Sequence, residues 1–199
     1  ATDDGQTRFE GRLAPSRGGG YVMVLNPQGM ALAPGDSRPL VFDFDLHTGG
    51  DDSATRSQAL SALTYVVFDT ETTGLLPHKD DIVQIGAVRV LNGRIIEGEE
   101  LDCLVDPGRP IPPSSTKVHG ITDAMVAGQP DILTVGTRFH DFTRGAVIVA
   151  HNAPFDMAFL HRHSQKLGVT WDNPILDTVL LSAVLFGASQ THTLDAVCS

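Results

Sequence analysis

One stretch of the sequence, Ala146-Val-Ile-Val-Ala150, restricts the possible folds most, because its five side chains are all apolar. A short apolar run of this kind is typical of a strand that is buried on both faces. A helical pattern follows over Pro154–Leu167, with proline at its start and Gly168 after its end. A strand covered on both faces needs helices on both sides of its sheet. The sequence therefore predicts an α/β fold.

Further strands and helices surround this unit in the sequence. Three strands are predicted before it, at Tyr65–Phe68, Ile82–Leu91 and Glu100–Val105. Asn92-Gly93 between two apolar runs is a strong hairpin signal and predicts antiparallel pairing of the second and third strands. Helices are predicted at Asp123–Val126, at Ile132–Thr143 and within Ile175–Phe186. This order favours a mixed sheet flanked by helices.

The first 60 residues differ from the rest, since they hold 9 of the 20 glycines and no lysine. Alternation over Thr7–Leu13 and the apolar run Tyr21–Leu25 predict a β-hairpin, and Leu40–Leu46 predicts a third strand. We assign residues 1–46 to a small β-rich segment with a faint resemblance to part of a PAS-like sensor module. Residues 47–60 are assigned to a linker and 61–199 to the main domain.

Charge limits the partners of this chain. The chain has 14 Lys and Arg against 24 Asp and Glu, a formal net charge of −10, so it repels polyanions as a whole. A nucleic acid would need few, local contacts and divalent metal ions to supply positive charge. Cys103 and Cys198 form neither a disulfide framework nor a zinc motif, which favours a reducing, cytoplasmic compartment. No apolar run approaches the about 20 residues of a membrane span, so no membrane contact is expected of these residues.

Two acidic residues end an apolar strand in Val66-Val-Phe-Asp69-Thr-Glu71-Thr-Thr-Gly74. Residues two apart in a strand point to one face about 6–7 Å apart, so Asp69 and Glu71 can both reach a divalent cation. Carboxylate oxygens suit Mg²⁺ or Mn²⁺. The turn at Thr72–Gly74 offers N–H groups and hydroxyls to a phosphate or a sugar hydroxyl. Two solvated acids at an exposed strand end are the alternative interpretation.

A third acidic residue follows the buried strand, in His151-Asn-Ala-Pro-Phe-Asp156. Pro154 places Asp156 in the first turn of a helix, where the helix dipole favours an acid for structural reasons alone. A helix start after a buried strand is also a usual location for binding groups. Asn152 is a candidate helix cap, and Phe155 is a candidate either for the core or for stacking on a base. Both interpretations of Asp156 are open on these residues alone.

Together, Phe-Asp-x-Glu-Thr-Thr-Gly and His-Asn-Ala-x-Phe-Asp resemble the first two motifs of the DnaQ-like (DEDD) 3′–5′ exonucleases. This family includes the proofreading epsilon subunit of bacterial DNA polymerase III. The resemblance runs from about residue 63 to the C-terminus and includes Val118-His-Gly-Ile-Thr122 and Leu176-Asp-Thr178. It implies a ribonuclease H-like fold and two Mg²⁺ or Mn²⁺ ions bound by Asp69, Glu71 and Asp156. The substrate-binding residues that we assign with it are Thr72, Thr73, Gly74, His119, Ile121, Asn152 and Phe155.

The activity implied by the resemblance is removal of nucleotides from the 3′ end of single-stranded or frayed DNA, as in proofreading and DNA repair. The product is a nucleoside monophosphate. The alternatives are trimming of RNA 3′ ends, binding of nucleotides or DNA ends without hydrolysis, and a purely structural interaction domain. A DNA polymerase or a sensor domain is the expected protein partner, and a longer parent protein leaves room for a membrane anchor upstream.

The third motif of the family, His-x4-Asp on a late helix, has no match after the first two motifs. His192-Thr-Leu-Asp195 has a different spacing, and we interpret its two polar residues as a capping or surface pair. We therefore expect a C-terminally incomplete domain that is weakly active or inactive by itself. Asp177 is expected to hold backbone or a loop. The scattered basic residues, Lys79, Arg109, Lys117 and Arg162, receive no assignment to phosphate.

Overall fold

The computed structural model describes residues 11–15, 21–25, 59–186 and 192–198. Strands β1 (Gly11–Pro15) and β2 (Tyr21–Leu25) form a separate antiparallel pair in which Pro15 lies opposite Tyr21. The predicted N-terminal hairpin is confirmed, and its first strand continues two residues past the predicted end at Leu13. The predicted strand Leu40–Leu46 lies outside the described residues.

The main sheet has five strands in the order β5-β4-β3-β6-β7. They are β3 (Thr64–Thr72), β4 (Ile82–Leu91), β5 (Arg94–Leu104), β6 (Val147–Ala150) and β7 (Ile175–Asp177). β3, β4 and β5 pair antiparallel, whereas β6 lies parallel to β3 and β7 lies parallel to β6. Asn92 and Gly93 join β4 to β5 with φ of 53° and 71°, the left-handed backbone that a tight hairpin turn requires. The predicted mixed sheet is confirmed.

Six α-helices lie among the described residues. They are α1 (Pro113–His119), α2 (Asp123–Val126), α3 (Ile132–Phe142), α4 (Ala153–Leu167), α5 (Thr178–Phe186) and α6 (Leu194–Cys198). A 3-10 turn at Leu60–Ala62 precedes the main sheet. No helix in these ranges is both long and apolar enough to cross a membrane.

Two elements differ from the sequence prediction. The helix predicted within Ile175–Phe186 begins only at Thr178, because the three residues before it form β7 against β6. Helix α1 follows a proline-rich segment that reads as a loop. Pro113 is compatible with a helix there because the first helical residue needs no N–H partner.

The main core lies between the sheet and helices α3 and α4. Phe139 of α3 is fully buried, and its ring centroid lies 4.8 Å from that of Phe68 on β3 and 5.7 Å from that of Trp171. The alternation along β3 sends Val66, Phe68 and Thr70 into this core. The residues between them, including Asp69, must therefore lie on the opposite face of the sheet.

The N-terminal cap of α3 allows a test of how this helix is stabilised. Asp131 caps the helix by accepting hydrogen bonds from the N–H and the hydroxyl of Thr134, at 2.9 and 2.8 Å. The bond from the Thr134 N–H, followed by that from its hydroxyl, lowers the pKa of Asp131. A lowered carboxyl pKa stabilises the fold above the unfolded-state pKa, near pH 4, and this contribution is lost as the pH falls through the folded-state pKa.

We expect Asp131→Ala to lower the midpoint of thermal unfolding at pH 7 by a few degrees, and by less at a pH below the folded-state pKa of Asp131, because the charged cap is then absent from both proteins. Circular-dichroism melts at the two pH values measure this. Asp172→Ala, a change of an exposed acid outside any helix, is the control and should alter neither midpoint. An equal loss at both pH values would contradict the role of the charge.

Candidate active site

The two acids of the first motif lie at the C-terminal end of β3, the central strand of the sheet. Asp69 is exposed and Glu71 is half-buried, whereas Thr70 between them is buried on the opposite face. Asp69 is paired with Gly86 of β4, which contributes no side chain, and no atom would lie within 4 Å of a Cβ added there. The surface beside Asp69 is therefore open enough to admit a ligand.

Asp156 joins the second motif to the first. It lies in the first turn of α4, is 0% exposed, and accepts hydrogen bonds at Oδ1 from the N–H and the hydroxyl of Thr70, at 3.2 and 2.5 Å. A buried carboxylate is costly unless it is hydrogen-bonded, so this contact fixes the start of α4 against the end of β3. Asp156 is thus bonded to the residue that separates Asp69 from Glu71.

The three carboxylates have the donor type of a divalent-metal site, since Mg²⁺ and Mn²⁺ prefer oxygen ligands. Among the residues that the structure describes, no three His, Cys, Asp or Glu side chains are already gathered as a ligand set. One oxygen of Asp156 is engaged by Thr70 in this arrangement. Asp69, Glu71 and Asp156 are the residues that would hold a metal here.

The turn after β3 is closely packed. The Thr72 hydroxyl donates to the Gly74 carbonyl at 2.7 Å, and the Thr73 N–H donates to the Asp81 carbonyl at 2.8 Å. The Thr73 hydroxyl oxygen also accepts from the Asp81 N–H at 3.0 Å. A Cβ at Gly74 would lie 2.4 Å from Oδ2 of Asp80, so only glycine fits there. Thr73 is 1% exposed, and both of its polar groups bond within the protein, whereas the predicted nucleotide contacts of this turn stay predictions.

His119 and Ile121 lie together after α1. The Ile121 N–H donates to Nδ1 of His119 at 3.0 Å, which places the proton of the neutral ring on Nε2. Nε2 is buried and has no hydrogen-bond partner among the described residues. An unpaired buried donor calls for a partner, and a bound nucleotide would provide one. The predicted nucleotide contact of His119 stays a prediction.

A cleft of about 590 Å³ adjoins these two residues. Its lining includes His119, Ile121, Gln84 and Asp102. Gln84 of β4 is the strand partner of Glu71, and its side-chain amide donates to Asp102 at 2.7 Å. The cleft therefore lies beside the acidic end of β3.

Asn152 and Phe155 of the second motif are buried. Asn152 is the N-cap of α4, as predicted, with a left-handed backbone, φ 66° and ψ 50°, and its side chain makes no capping hydrogen bond. Phe155 is 2% exposed and its ring lies 5.3 Å from that of Phe159. Burial of apolar area thus holds Phe155 in the core, away from the surface where a base would stack.

Asp177 holds the backbone around the second motif. Its Oδ1 accepts from the N–H of Asn152 at 3.1 Å and from the N–H of Val179 at 2.8 Å. It therefore caps α5 and, at the same time, fixes the strained residue that precedes α4. The prediction that Asp177 holds backbone is confirmed.

Sequence reasoning missed a charged cluster beside the turn. The guanidinium of Arg162 donates to the Asp81 carboxylate, and Arg109 lies 3.4 Å from the same carboxylate. The ring of His163 also contacts Arg162. Burial, followed by the charge of Arg162, lowers the pKa of His163, although Asp81 acts in the opposite direction. Asp81, Arg109 and Arg162 lie far apart in the chain, and no sequence pattern links them.

A mixed sheet with carboxylates at the end of its central strand defines a class of protein, the nucleases of ribonuclease H-like fold. The family model described as Exonuclease matches residues 66–199. The chain belongs to this family, and it carries an exonuclease domain of the DnaQ-like type, as its motifs predict. Exonucleases of this family generally depend on divalent metal ions.

Two curated relatives illustrate the similarity. A DNA polymerase III subunit epsilon-like protein of Rhodobacter capsulatus is 61% identical over 161 residues, which are 80% of this chain and 23% of that protein. A PolC-type DNA polymerase III of Halalkalibacterium halodurans is 42% identical over 135 residues, 67% of this chain and 9% of that protein. The matched part of the chain thus spans less than a quarter of the length of either relative.

Solved structures show the same fold. Exonuclease X in complex with 5′ overhanging duplex DNA matches with a TM-score of 0.52 and 31% identity, over 67% of this chain and 70% of that one. E. coli exonuclease I in complex with a dA16 oligonucleotide matches with a TM-score of 0.56 and 20% identity, over 62% of this chain and 30% of that one. The predicted ribonuclease H-like fold is therefore confirmed.

The bonds of Asp177 lead to a prediction on stability. Asp177→Ala is expected to lower the free energy of unfolding by about 2–4 kcal/mol, because two buried N–H groups lose their acceptor at about 1–3 kcal/mol each. Asp177→Asn retains an acceptor oxygen and should cost less. Guanidinium unfolding followed by circular dichroism measures both, with the exposed Asp172→Ala as control. A change in Asp177→Ala no larger than in the control would show that the two bonds contribute nothing.

Proposed function

We propose that this domain is a metal-dependent 3′–5′ exonuclease, which hydrolyses the last phosphodiester bond of single-stranded or frayed DNA and releases a nucleoside monophosphate. The observation that best supports the proposal is the contact of Asp156 with Thr70, because it brings the second acidic motif to the strand end that carries Asp69 and Glu71. Family membership supports the reaction class.

Charge supports the involvement of metal ions. A chain with a net charge of −10 that presents carboxylates to a phosphodiester would repel it. Two bound Mg²⁺ or Mn²⁺ ions would supply the missing positive charge, an activated water and stabilisation of the leaving 3′ oxygen. Asp69 is exposed and Glu71 is half-buried, so both are accessible from the open face of the sheet, while Thr70 orients Asp156 from the core side.

Contacts to the terminal nucleotide are assigned to the residues beside the acids. The buried Nε2–H of His119 is available as a donor, and Ile121 supplies an apolar surface in the adjoining cleft. Thr72 and Gly74 border the same strand end. Since only the last nucleotides need to be held, this small set suffices without a basic groove.

DNA is the proposed substrate because the named relatives are DNA polymerase III proteins and because exonuclease X, at 31% identity, was solved with DNA. By the same similarity, a DNA polymerase is the proposed partner and proofreading the proposed role. The division at residues 46 and 60 and the cytoplasmic location stay predictions.

The metal site is tested by titrating Mn²⁺ into the chain by calorimetry, with and without a nucleoside monophosphate. Asp69→Asn is expected to weaken Mn²⁺ binding at least about tenfold, because it removes a charged ligand without changing the shape of the side chain. The thermal midpoint should stay unchanged, since Asp69 is exposed. Asp172→Asn serves as the matched control. Equal affinity in all proteins, or no binding in any, would refute the site.

Activity is tested on a 5′-labelled single strand with Mn²⁺, using DNA and RNA of the same sequence. Because His-x4-Asp has no match after the second motif, we expect the 199 residues to trim DNA at least about 10²-fold more slowly than a family member that contains the motif there, as loss of a general base predicts. Equal rates would show that the missing motif is dispensable. Faster trimming of RNA than of DNA would identify an RNA exonuclease instead.

A further inference from the structure

The segment Pro77–Asp81, which leads from the turn into β4, is held by two arginines from separate parts of the fold. Arg162 of α4 donates to the Pro77 carbonyl at 2.7 Å and also to the Asp81 carboxylate. Arg109, from the loop between β5 and α1, donates to the Lys79 carbonyl at 2.7 Å and lies 3.4 Å from Asp81. Both guanidinium groups therefore share one carboxylate and one short stretch of backbone.

Asp81 is bonded in turn to the residue at the centre of the turn. Its N–H donates to the Thr73 hydroxyl, and its carbonyl accepts from the Thr73 N–H. The Thr73 carbonyl accepts from the hydroxyl of Ser115 at 2.8 Å, and Ser115 belongs to α1, which ends at His119. A continuous set of polar contacts thus runs from the two arginines through Asp81 and Thr73 to the helix that carries His119.

Apolar packing does not explain how this segment is fixed. Leu75 and Leu76, which connect Gly74 to this segment, are 36% and 47% exposed, so they contribute little burial. The contacts of Leu76 with the segment are polar, because its carbonyl accepts from the N–H groups of Lys79 and Asp80, at 2.8 and 2.7 Å, and its N–H donates to the Asp80 carboxylate at 3.0 Å. Ordering of the turn therefore depends on hydrogen bonds and on the ion pairs of Asp81.

We propose that Asp81 is a positioning residue for substrate: by pairing with Arg109 and Arg162 it fixes the Thr72–Gly74 turn and α1 against the terminal nucleotide. This inference rests on the proposed function, since it assigns the turn to nucleotide binding. The contacts of Asp81 are with Arg109, Arg162 and Thr73, so we assign its effect to binding geometry and not to the metal site.

Because two arginines share the Asp81 carboxylate, substitution of Asp81 should have a larger effect than substitution of either arginine. Asp81→Asn leaves Arg162 without its counter-charge and Arg109 with only the Asp80 carboxylate, at 4.0 Å, whereas Arg109→Gln or Arg162→Gln leaves one ion pair of Asp81 in place. We expect Asp81→Asn to raise KM for a 5′-labelled DNA strand about tenfold with kcat changed less than about threefold, as loss of uniform binding requires. Each arginine variant should have a smaller effect, and Asp81→Glu should restore part of the loss.

Hydrogen exchange of residues 73–81 and the Mn²⁺ affinity are measured on the same proteins. Faster exchange in Asp81→Asn with unchanged Mn²⁺ affinity is the expected result. Asp141→Asn is the matched control, since it breaks an exposed Asp–Arg pair, at 2.8 Å from Arg144, away from the turn. The proposal would be overturned by an unchanged KM or by the same KM shift in the control. It would also be overturned if kcat and Mn²⁺ affinity fell in parallel with the rise in KM.

Failure of the inference can be distinguished from failure of the proposed function. If the unsubstituted chain degrades no DNA even when the third motif of a family member is fused after Ser199, the proposed exonuclease activity is wrong. The role of Asp81 is then decided by the affinity for a nucleoside monophosphate in the presence of Mn²⁺. An affinity weakened about tenfold in Asp81→Asn, but not in Asp141→Asn, would support the positioning role. Equal affinities would refute it.

Discussion

The Asp156 carboxylate is 0% exposed, and Thr70 donates to it through both its backbone N–H and its hydroxyl. Burying a carboxylate is costly unless it is hydrogen-bonded, so these two bonds to Oδ1 oppose a shift of the start of α4 along β3. Thr70 faces the core, and its two acidic neighbours face away from it. The same alternation that buries the hydrogen bond therefore presents Asp69 and Glu71 on the open face.

The position of Asp156 depends in turn on the strand ends beside it. β6 leads into Asn152, whose left-handed backbone turns the chain into α4, and Asp177 at the end of β7 accepts from its N–H. Because Asp177 also caps α5, the ends of two parallel strands and the starts of two helices are bonded around one carboxylate. This explains why a polar residue is buried at the end of a three-residue strand, where an apolar one would leave two N–H groups unpaired.

Much of the fold could be predicted because its signals are local. The alternation in β3, the Asn92-Gly93 turn and the apolar run of β6 each specify a conformation from adjacent residues alone. β7 could not be predicted in this way, because three residues carry too little periodicity and their strand forms only by pairing with β6. Local patterns placed Asn152 at the cap of α4, but they could not show that Asp177 from another strand holds its N–H.

The acidic site was visible for a similar reason, since Asp69 and Glu71 are neighbours in one strand. The cluster around Asp81 was not, because its partners are 28 and 81 residues away and each looks like an ordinary surface arginine. Only the folded chain shows that Arg109 and Arg162 meet the same carboxylate. Contacts between residues so far apart leave no periodic pattern in the sequence. They become apparent only from the packing of α4 and the β5–α1 loop against the turn.

The pairing of these arginines also bears on how an acidic chain would bind a polyanion. Arg109 and Arg162 lie near the proposed nucleotide site, but both face Asp81, and Arg109 also lies 4.0 Å from Asp80. Their charge is therefore largely compensated within the protein and offers little attraction to a phosphate. With Asp69 and Glu71 on the open face as well, the local field near the turn favours cations over anions. Because of this field, we assign the attraction of phosphate to bound divalent ions. The arginines are instead assigned to fixing the turn.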